Sequence, residues 1–241
     1  MCLILIAWRV HPNYPLVVAA NRDEFYQRPS AAAARWSEDP RVLAGRDLEA
    51  GGTWLGVRDD GRFAAVTNVR EPAVAKGVRS RGHLTRDFLL GDRTPGGFAK
   101  DAEGGLYSGF NLLLADQAEL WYLSNRDGDP RPQGPGLYGL SNRLLDTPWP
   151  KLVSAKARFA EALASLPGKD AMFNILADPE TAPDQTLPDT GVALEWERLL
   201  SAIFVQSDRY GTRASTVLTR DRHGAIQWEE RRFGPGGQPM E

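Results

Sequence analysis

The apolar segments of this chain come in neighbouring pairs joined by turn residues, and that pairing constrains the fold more than any other feature. LILIAWRV (residues 3–10) and LVVAA (16–20) flank HPNYP, whose prolines and asparagine favour a turn. TWLGV (53–57) and RFAAVTNV (62–69) flank an Asp60-Gly61 turn. FNLLLAD (110–116) with QAELWYLSN (117–125) makes a third pair. RASTVLTRD (213–221) with AIQWEERRF (225–233) makes a fourth around Gly224, and GLYGLSN (136–142) predicts one more short strand. Short turns can join only antiparallel strands, because parallel neighbours need a long crossover. The expected class is therefore α+β, with antiparallel sheets and helices grouped outside them. LILIAW and NLLLA are apolar on both faces and need cover on each side, which suggests stacked sheets with helix layers beyond.

Helical spacing appears in few places. In RGHLTRDFLLG (81–91), Leu84, Phe88 and Leu89 share a face and Gly91 stops the helix. The strongest stripe is Leu152, Ala155, Phe159, Ala162, Leu163 and Leu166, predicting a helix over 149–166 that ends at Pro167-Gly168. Residues 170–176 and 193–204 read as further helices. NRDEFYQRP (21–29) reads as the exit from the second strand, and residues 31–45 and 125–137 as loops. No repeat, biased segment or linker interrupts the 241 residues, so they read as a single domain over 1–241.

The formal net charge is −2 with arginines spread along the chain, which argues against a nucleic-acid or acidic-membrane partner. The opening apolar run ends at Arg9 with no basic region before it, and no stretch is long enough to span a bilayer. A cytoplasmic setting is expected. One cysteine excludes an intramolecular disulfide and a thiolate cluster for zinc. His11, His83 and His223 lie far apart with no ligand spacing, so no metal or cofactor is expected, and His11 and His83 read as solvated or structural.

That single cysteine follows the initiator methionine. A small second residue permits removal of Met1, which would give Cys2 a thiol and a free α-amine, a nucleophile with its own base. The plainer alternative is a small apolar residue opening a strand.

Met1-Cys2, NRDE (21–24), GGTWLG (51–56), TNVREP (67–72), GLSN (139–142) and YGTRASTVL (210–218) occur in order over almost the whole chain. Together they resemble the NRDE family, the family of the transport and Golgi organisation protein 2 homologues, which in turn resembles the N-terminal nucleophile hydrolases. The resemblance implies a four-layer αββα sandwich with two antiparallel sheets face to face. It also implies attack of a Cys2 thiolate on a linear amide, or an ester, through an acyl-enzyme. Arg22 would stabilise the thiolate and Asp23 would orient and charge the amine. In related amidases two residues separate that arginine and that aspartate, whereas here Arg22 and Asp23 are adjacent and Glu24 follows. Neighbours on a strand face opposite ways, so Asp23 and Glu24 both stand as the acid. Asn68 and Asn142 occupy places where related amidases supply oxyanion donors, and Arg213 resembles their distal active-site arginine. Gly51 and Gly52 suit a tight entry into a strand or a close approach of two backbones. A rival reading keeps the fold without catalysis, as a carrier of haem, acyl-CoA or lipid serving trafficking or organelle maintenance. Either way the partner is a small molecule, and self-association stays open.

Overall fold

A computed structural model describes residues 2–71 and 77–240. The first strands are β1 (Cys2–Trp8), β2 (Leu16–Phe25), β3 (Ser30–Arg35), β4 (Val42–Asp47), β5 (Leu55–Arg58) and β6 (Phe63–Asn68). Helices α1 (Gly82–Leu90) and α2 (Pro95–Asp101) follow, then β7 (Phe110–Ala115), β8 (Leu120–Ser124), β9 (Arg131–Gln133) and β10 (Gly136–Leu140). The chain continues through α3 (Pro150–Ala162), α4 (Asp170–Leu176) and α5 (Leu194–Leu199), and closes with β11 (Tyr210–Arg220), β12 (Ile226–Phe233) and β13 (Pro239–Met240). The residues divide into two compact units. Among them no helix is long and apolar enough to cross a membrane.

The first unit comprises Met1–Gln27, Pro135–Ser141 and Leu145–Glu241. Its antiparallel sheet runs β10-β1-β2-β11-β12-β13. Alternation along β1 and β2 sends Leu3, Leu5, Ala7, Val17 and Ala19 to one face, where they pack on Leu152, Phe159, Met172, Phe173 and Leu176 of α3 and α4. β1 is buried along its whole length, as an apolar central strand must be.

The second unit comprises Arg28–Gly134 and Asn142–Leu144. Its sheet is a meander from β3 to β9 in chain order. α1 presents Leu84, Phe88 and Leu89 to Phe110, Leu112 and Leu114 of β7, the side that the spacing of α1 selects. Gly52 and Gly82 bring two backbones together: a Cβ on Gly52 would lie 2.4 Å from the carbonyl carbon of Gly82. That is the close approach expected of the glycine pair, while Gly51 supplies a positive φ of 74°.

The four hairpins, the strand at 136–140 and the helices at 82–90, 150–162 and 170–176 form where the pattern puts them. Elsewhere the structure corrects the reading. NRDEF is not a strand exit: β2 continues to Phe25, because β11 pairs with it as far as Tyr210 opposite Phe25 and satisfies its backbone groups. Residues 31–45 are not all loop. β3 and β4 pair there, although alanine-rich segments have low strand propensity. The short strand β9 lies within the other expected loop, and the two-residue β13 carries no pattern. α2 begins at an N-cap, Thr94, whose hydroxyl accepts from Gly97 N–H at 3.1 Å, with Pro95 at the first helical position. α5 stops at Leu199, well short of 204. Lys151 Nζ donates to the carbonyls of Leu200 and Ala202 at 2.8 and 3.4 Å, so these need no further helical turn.

Candidate functional site

Cys2 opens β1 directly opposite Arg22 in the β1–β2 ladder. Directly paired residues of an antiparallel sheet share a face, so the thiol and the guanidinium lie on the same side, away from α3 and α4. Cys2 is buried, with 7% of its surface exposed. Burial pushes its thiol above the ordinary value and the Asp23 carboxylate adds to this, while Arg22 and the Asp23 backbone N–H oppose it. Ser141 Oγ donates to the Cys2 carbonyl at 3.3 Å and ties β1 to the end of β10. Met1 lies outside the described residues, as does Pro72 of the TNVREP motif.

The other NRDE residues divide between the two faces. Asn21 is fully buried on the helix side: its Nδ2 donates to the carbonyls of Leu176 and Ile203, each at 2.8 Å, and its Oδ1 accepts from Ser215 Oγ at 2.6 Å. Asp23 follows the same alternation and pairs with Thr212, whose hydroxyl donates to Asp23 Oδ1 at 2.7 Å. The Thr212 hydroxyl also accepts from Val205 N–H at 2.9 Å. Arg22 and Glu24 share the Cys2 face by alternation, and Glu24 Oε1 accepts from Phe25 N–H at 2.9 Å. The antiparallel register decides what lies beyond Cys2: moving from Cys2 toward residue 1 is moving from Arg22 toward Asp23. The amino end of Cys2 therefore points toward Asp23, not toward Glu24.

Arg213 occupies a bulge. The register of β11 against β2 jumps between Thr212, opposite Asp23, and Ala214, opposite Arg22. Its Nη1 donates to the Phe25 carbonyl at 3.0 Å, and its guanidinium lies 5.7 Å from the Tyr26 ring centre. Burial pushes its pKa down, as do the charges of Arg22 and then Arg232, with Glu24 and Tyr26 opposing. Arg232 belongs to this neighbourhood, and no motif pointed to it. The only sequence signal is its position in the charged EERR run of the last hairpin.

Asn68 and Asn142 come together in the second unit. Asn142 is fully buried and its Nδ2 donates to Asn68 Oδ1 at 2.9 Å and to the Asn68 carbonyl at 3.2 Å. The Asn142 carbonyl accepts from Arg70 N–H at 2.7 Å. Asn142 thus orients the carboxamide of Asn68, whose own Nδ2 has a long 3.3 Å bond to the Val69 carbonyl. Of the two, Asn68 keeps the more available amide donor.

His83 rides on α1 with Nε2 2.7 Å from the Ala50 carbonyl, and His11 Nδ1 accepts from Asn13 N–H at 3.2 Å in a turn, so both serve the backbone. Among the described residues no group of three or more His, Cys, Asp or Glu side chains is placed to hold a metal ion.

Over 90% of this chain and 92% of the other, the structure is similar to a Caenorhabditis elegans N-acylethanolamine-hydrolyzing acid amidase ortholog, with TM-score 0.53 and 14% identity. The likeness shows the fold class alone: α+β, with antiparallel sheets. Within that class the sequence matches the Transport and Golgi organisation 2 family over residues 1–235, and the chain belongs to that family. It is 39% identical to the Transport and Golgi organization protein 2 homolog of Bos taurus, over 96% of this chain and 92% of the relative. With the homolog of Homo sapiens it shares 38% identity over the same proportions.

Proposed function

We propose that the chain is a cysteine N-terminal nucleophile hydrolase acting on a linear amide through a Cys2 acyl-enzyme. The observation that carries this reading is the register that sets Cys2 opposite Arg22 and turns its amino end toward Asp23. With Met1 removed, the α-amine of Cys2 accepts the thiol proton and becomes an ammonium that Asp23 stabilises. The thiolate, held by Arg22, attacks the carbonyl carbon. The oxyanion so formed takes hydrogen bonds from fixed amide donors. The intermediate collapses, the C–N bond breaks, and the ammonium returns its proton to the leaving amine. Water then adds to the thioester with the α-amine again as base, which releases the acid and restores the thiol. Glu24 and Arg213 border the thiol face and shape its charge.

A second reading has one observation in its favour: burial raises the Cys2 thiol pKa and so disfavours the thiolate, which suits a carrier of acyl-CoA, lipid or haem with no covalent step. Intact mass of the purified untagged chain, followed by exposure to N-acyl amides, separates the two. The hydrolase reading expects a mass short of one methionine, an acyl adduct on Cys2, and turnover lost on Cys2→Ala. Retained Met1 in native material, or hydrolysis that survives Cys2→Ala, overturns it. Ligand binding unchanged by Cys2→Ala without any hydrolysis supports the carrier.

A further inference from the structure

The row of paired residues that begins at Cys2 continues across the sheet of the first unit. Cys2 pairs with Arg22, Arg22 with Ala214, and Ala214 with Arg232. All four therefore line one face, and only a methyl group stands between the two arginines. At about 4.8 Å per strand, the Arg22 and Arg232 backbones lie about 10 Å apart, and Arg232 lies about 14 Å from Cys2. Both side chains are half-buried. Arg213 sits in the adjoining bulge of β11, and the charges of Arg22 and Arg232 both act on its guanidinium.

Like charges gathered in this way repel one another, and Glu24 offsets part of that repulsion at Arg213. Glu24 turns an oxygen onto Phe25 N–H, and Glu230 shares the face one row along, opposite Thr216. Among the described residues neither Arg22 nor Arg232 forms an ion pair or a side-chain hydrogen bond. Thr216 adds a second observation. It is fully buried on the same face, paired with Ala20 and Glu230, and its hydroxyl has no partner among the described residues. The Arg22 and Arg232 guanidinium groups, which form no ion pair among the described residues, suit a ligand oxyanion, for which arginine forks are the fitting donors.

We propose that Arg232, with Arg22 and Arg213, forms a subsite for a carboxylate or phosphate carried by the substrate a few bonds from its scissile amide. The inference rests on the Cys2 hydrolase reading and adds a specificity determinant to it. Arg22 serves the thiol, and Arg232, three strands from Cys2, measures how far the anion lies from the reacting carbonyl.

The test compares three probes that differ only in the terminal group: N-dodecanoyl-γ-aminobutyrate, its neutral γ-aminobutyramide counterpart, and N-dodecanoyl-aminopropyl phosphate. The Met1-free protein is expected to favour an anionic probe by about tenfold in kcat/KM, the ratio that one charge-assisted hydrogen bond supports. The preferred anion identifies carboxylate or phosphate as the source. Arg232→Gln is expected to bring the ratio to about one, chiefly through KM, and Arg232→Lys to recover part of it. A wild-type ratio near one, or a ratio unchanged in Arg232→Gln, overturns the subsite. If no probe is hydrolysed the hydrolase reading falls, and calorimetric binding of the same probes judges the subsite alone. An anion preference that Arg232→Gln abolishes sustains it, and equal affinities overturn it.

Discussion

Thr212 and Asp23 are joined by a 2.7 Å hydrogen bond at a fully buried hydroxyl, and the same hydroxyl accepts from Val205 N–H. One side chain thus fixes the aspartate of the NRDE motif and ends a loop. Thr212→Val keeps the shape and removes both bonds, leaving a buried carboxylate with one donor fewer. A hydrogen bond to a charged group contributes about 1.5–3 kcal/mol, so the melting temperature is expected to fall by about 4–8 °C. Thr212→Ser keeps the hydroxyl and is expected to lose less than half as much. Calorimetric melting of the three proteins checks this, and equal losses in the two variants contradict it.

The Cys2 thiol yields a prediction about pH. With Met1 in place there is no amine on Cys2, and burial raises the thiol pKa above its ordinary value against the lowering influence of Arg22. Only the thiolate is alkylated. In protein extended at its N-terminus, iodoacetamide labelling is therefore expected to be slow at neutral pH and to climb about tenfold per pH unit to beyond about 8.5. Arg22→Gln removes one lowering influence and shifts the profile to higher pH. Removal of Met1 adds the α-amine and speeds labelling at neutral pH. Intact mass against time at each pH reads all three, and a midpoint below the ordinary thiol value in the extended protein counts against the burial argument.

The fold was legible wherever burial imposes alternation or a helical stripe. Leu3 to Ala7 and Phe110 to Ala115 are buried on both faces, and their apolar runs show it in one dimension. β3 escaped because its alanines sit half-exposed at a sheet edge and need no apolar pattern. β2 was cut short because polar NRDE looks like loop, and only its partner β11, nearly two hundred residues later, keeps it extended. The candidate site was legible to the same extent. Cys2, Arg22 and Asp23 could be nominated from the motif, but which acid the amino end of Cys2 meets depends on the β1–β2 register. Arg232 could not be nominated, because its place beside Arg22 exists only across β11, and a bulge sets that register.

The approach of Gly52 to Gly82 predicts an order of damage. An added Cβ on Gly52 meets the Gly82 carbonyl carbon at 2.4 Å and its oxygen at 2.5 Å, contacts that only backbone movement can relieve. On Gly82 the nearest atoms are 3.1 Å away, the Thr53 carbonyl oxygen first. Gly52→Ala is expected to cost about 2–3 kcal/mol, the upper range for overpacking, and Gly82→Ala about 1 kcal/mol. Urea midpoints at constant m-value give both figures. The reverse order is incompatible with the contact described.

Arg58 and Asp60 make the stability of the second unit depend on pH. Arg58 is nearly fully buried and donates to the carbonyls of Leu89 and Gly91 at the end of α1, at 3.3 and 2.9 Å. Its Nε and Nη2 reach Asp60 Oδ2 at 3.0 and 2.6 Å, and Nη2 also reaches Asp92 Oδ1 at 3.0 Å. Burial pushes the Asp60 carboxyl up, but the hydrogen bond from Arg58 and the Arg62 N–H outweigh it and hold the pKa below the usual value. A lowered folded-state pKa stabilises the fold above the unfolded value, and that stabilisation is lost as pH falls through the folded value. The stability difference between wild type and Asp60→Asn is therefore expected to hold level at neutral pH and to shrink below about pH 4. Asp60 is partly exposed, so added salt reduces the difference as well. Urea midpoints of the two proteins from pH 7 to pH 3 measure this. Parallel curves through the acid limb would remove Asp60 as a counter-charge of Arg58.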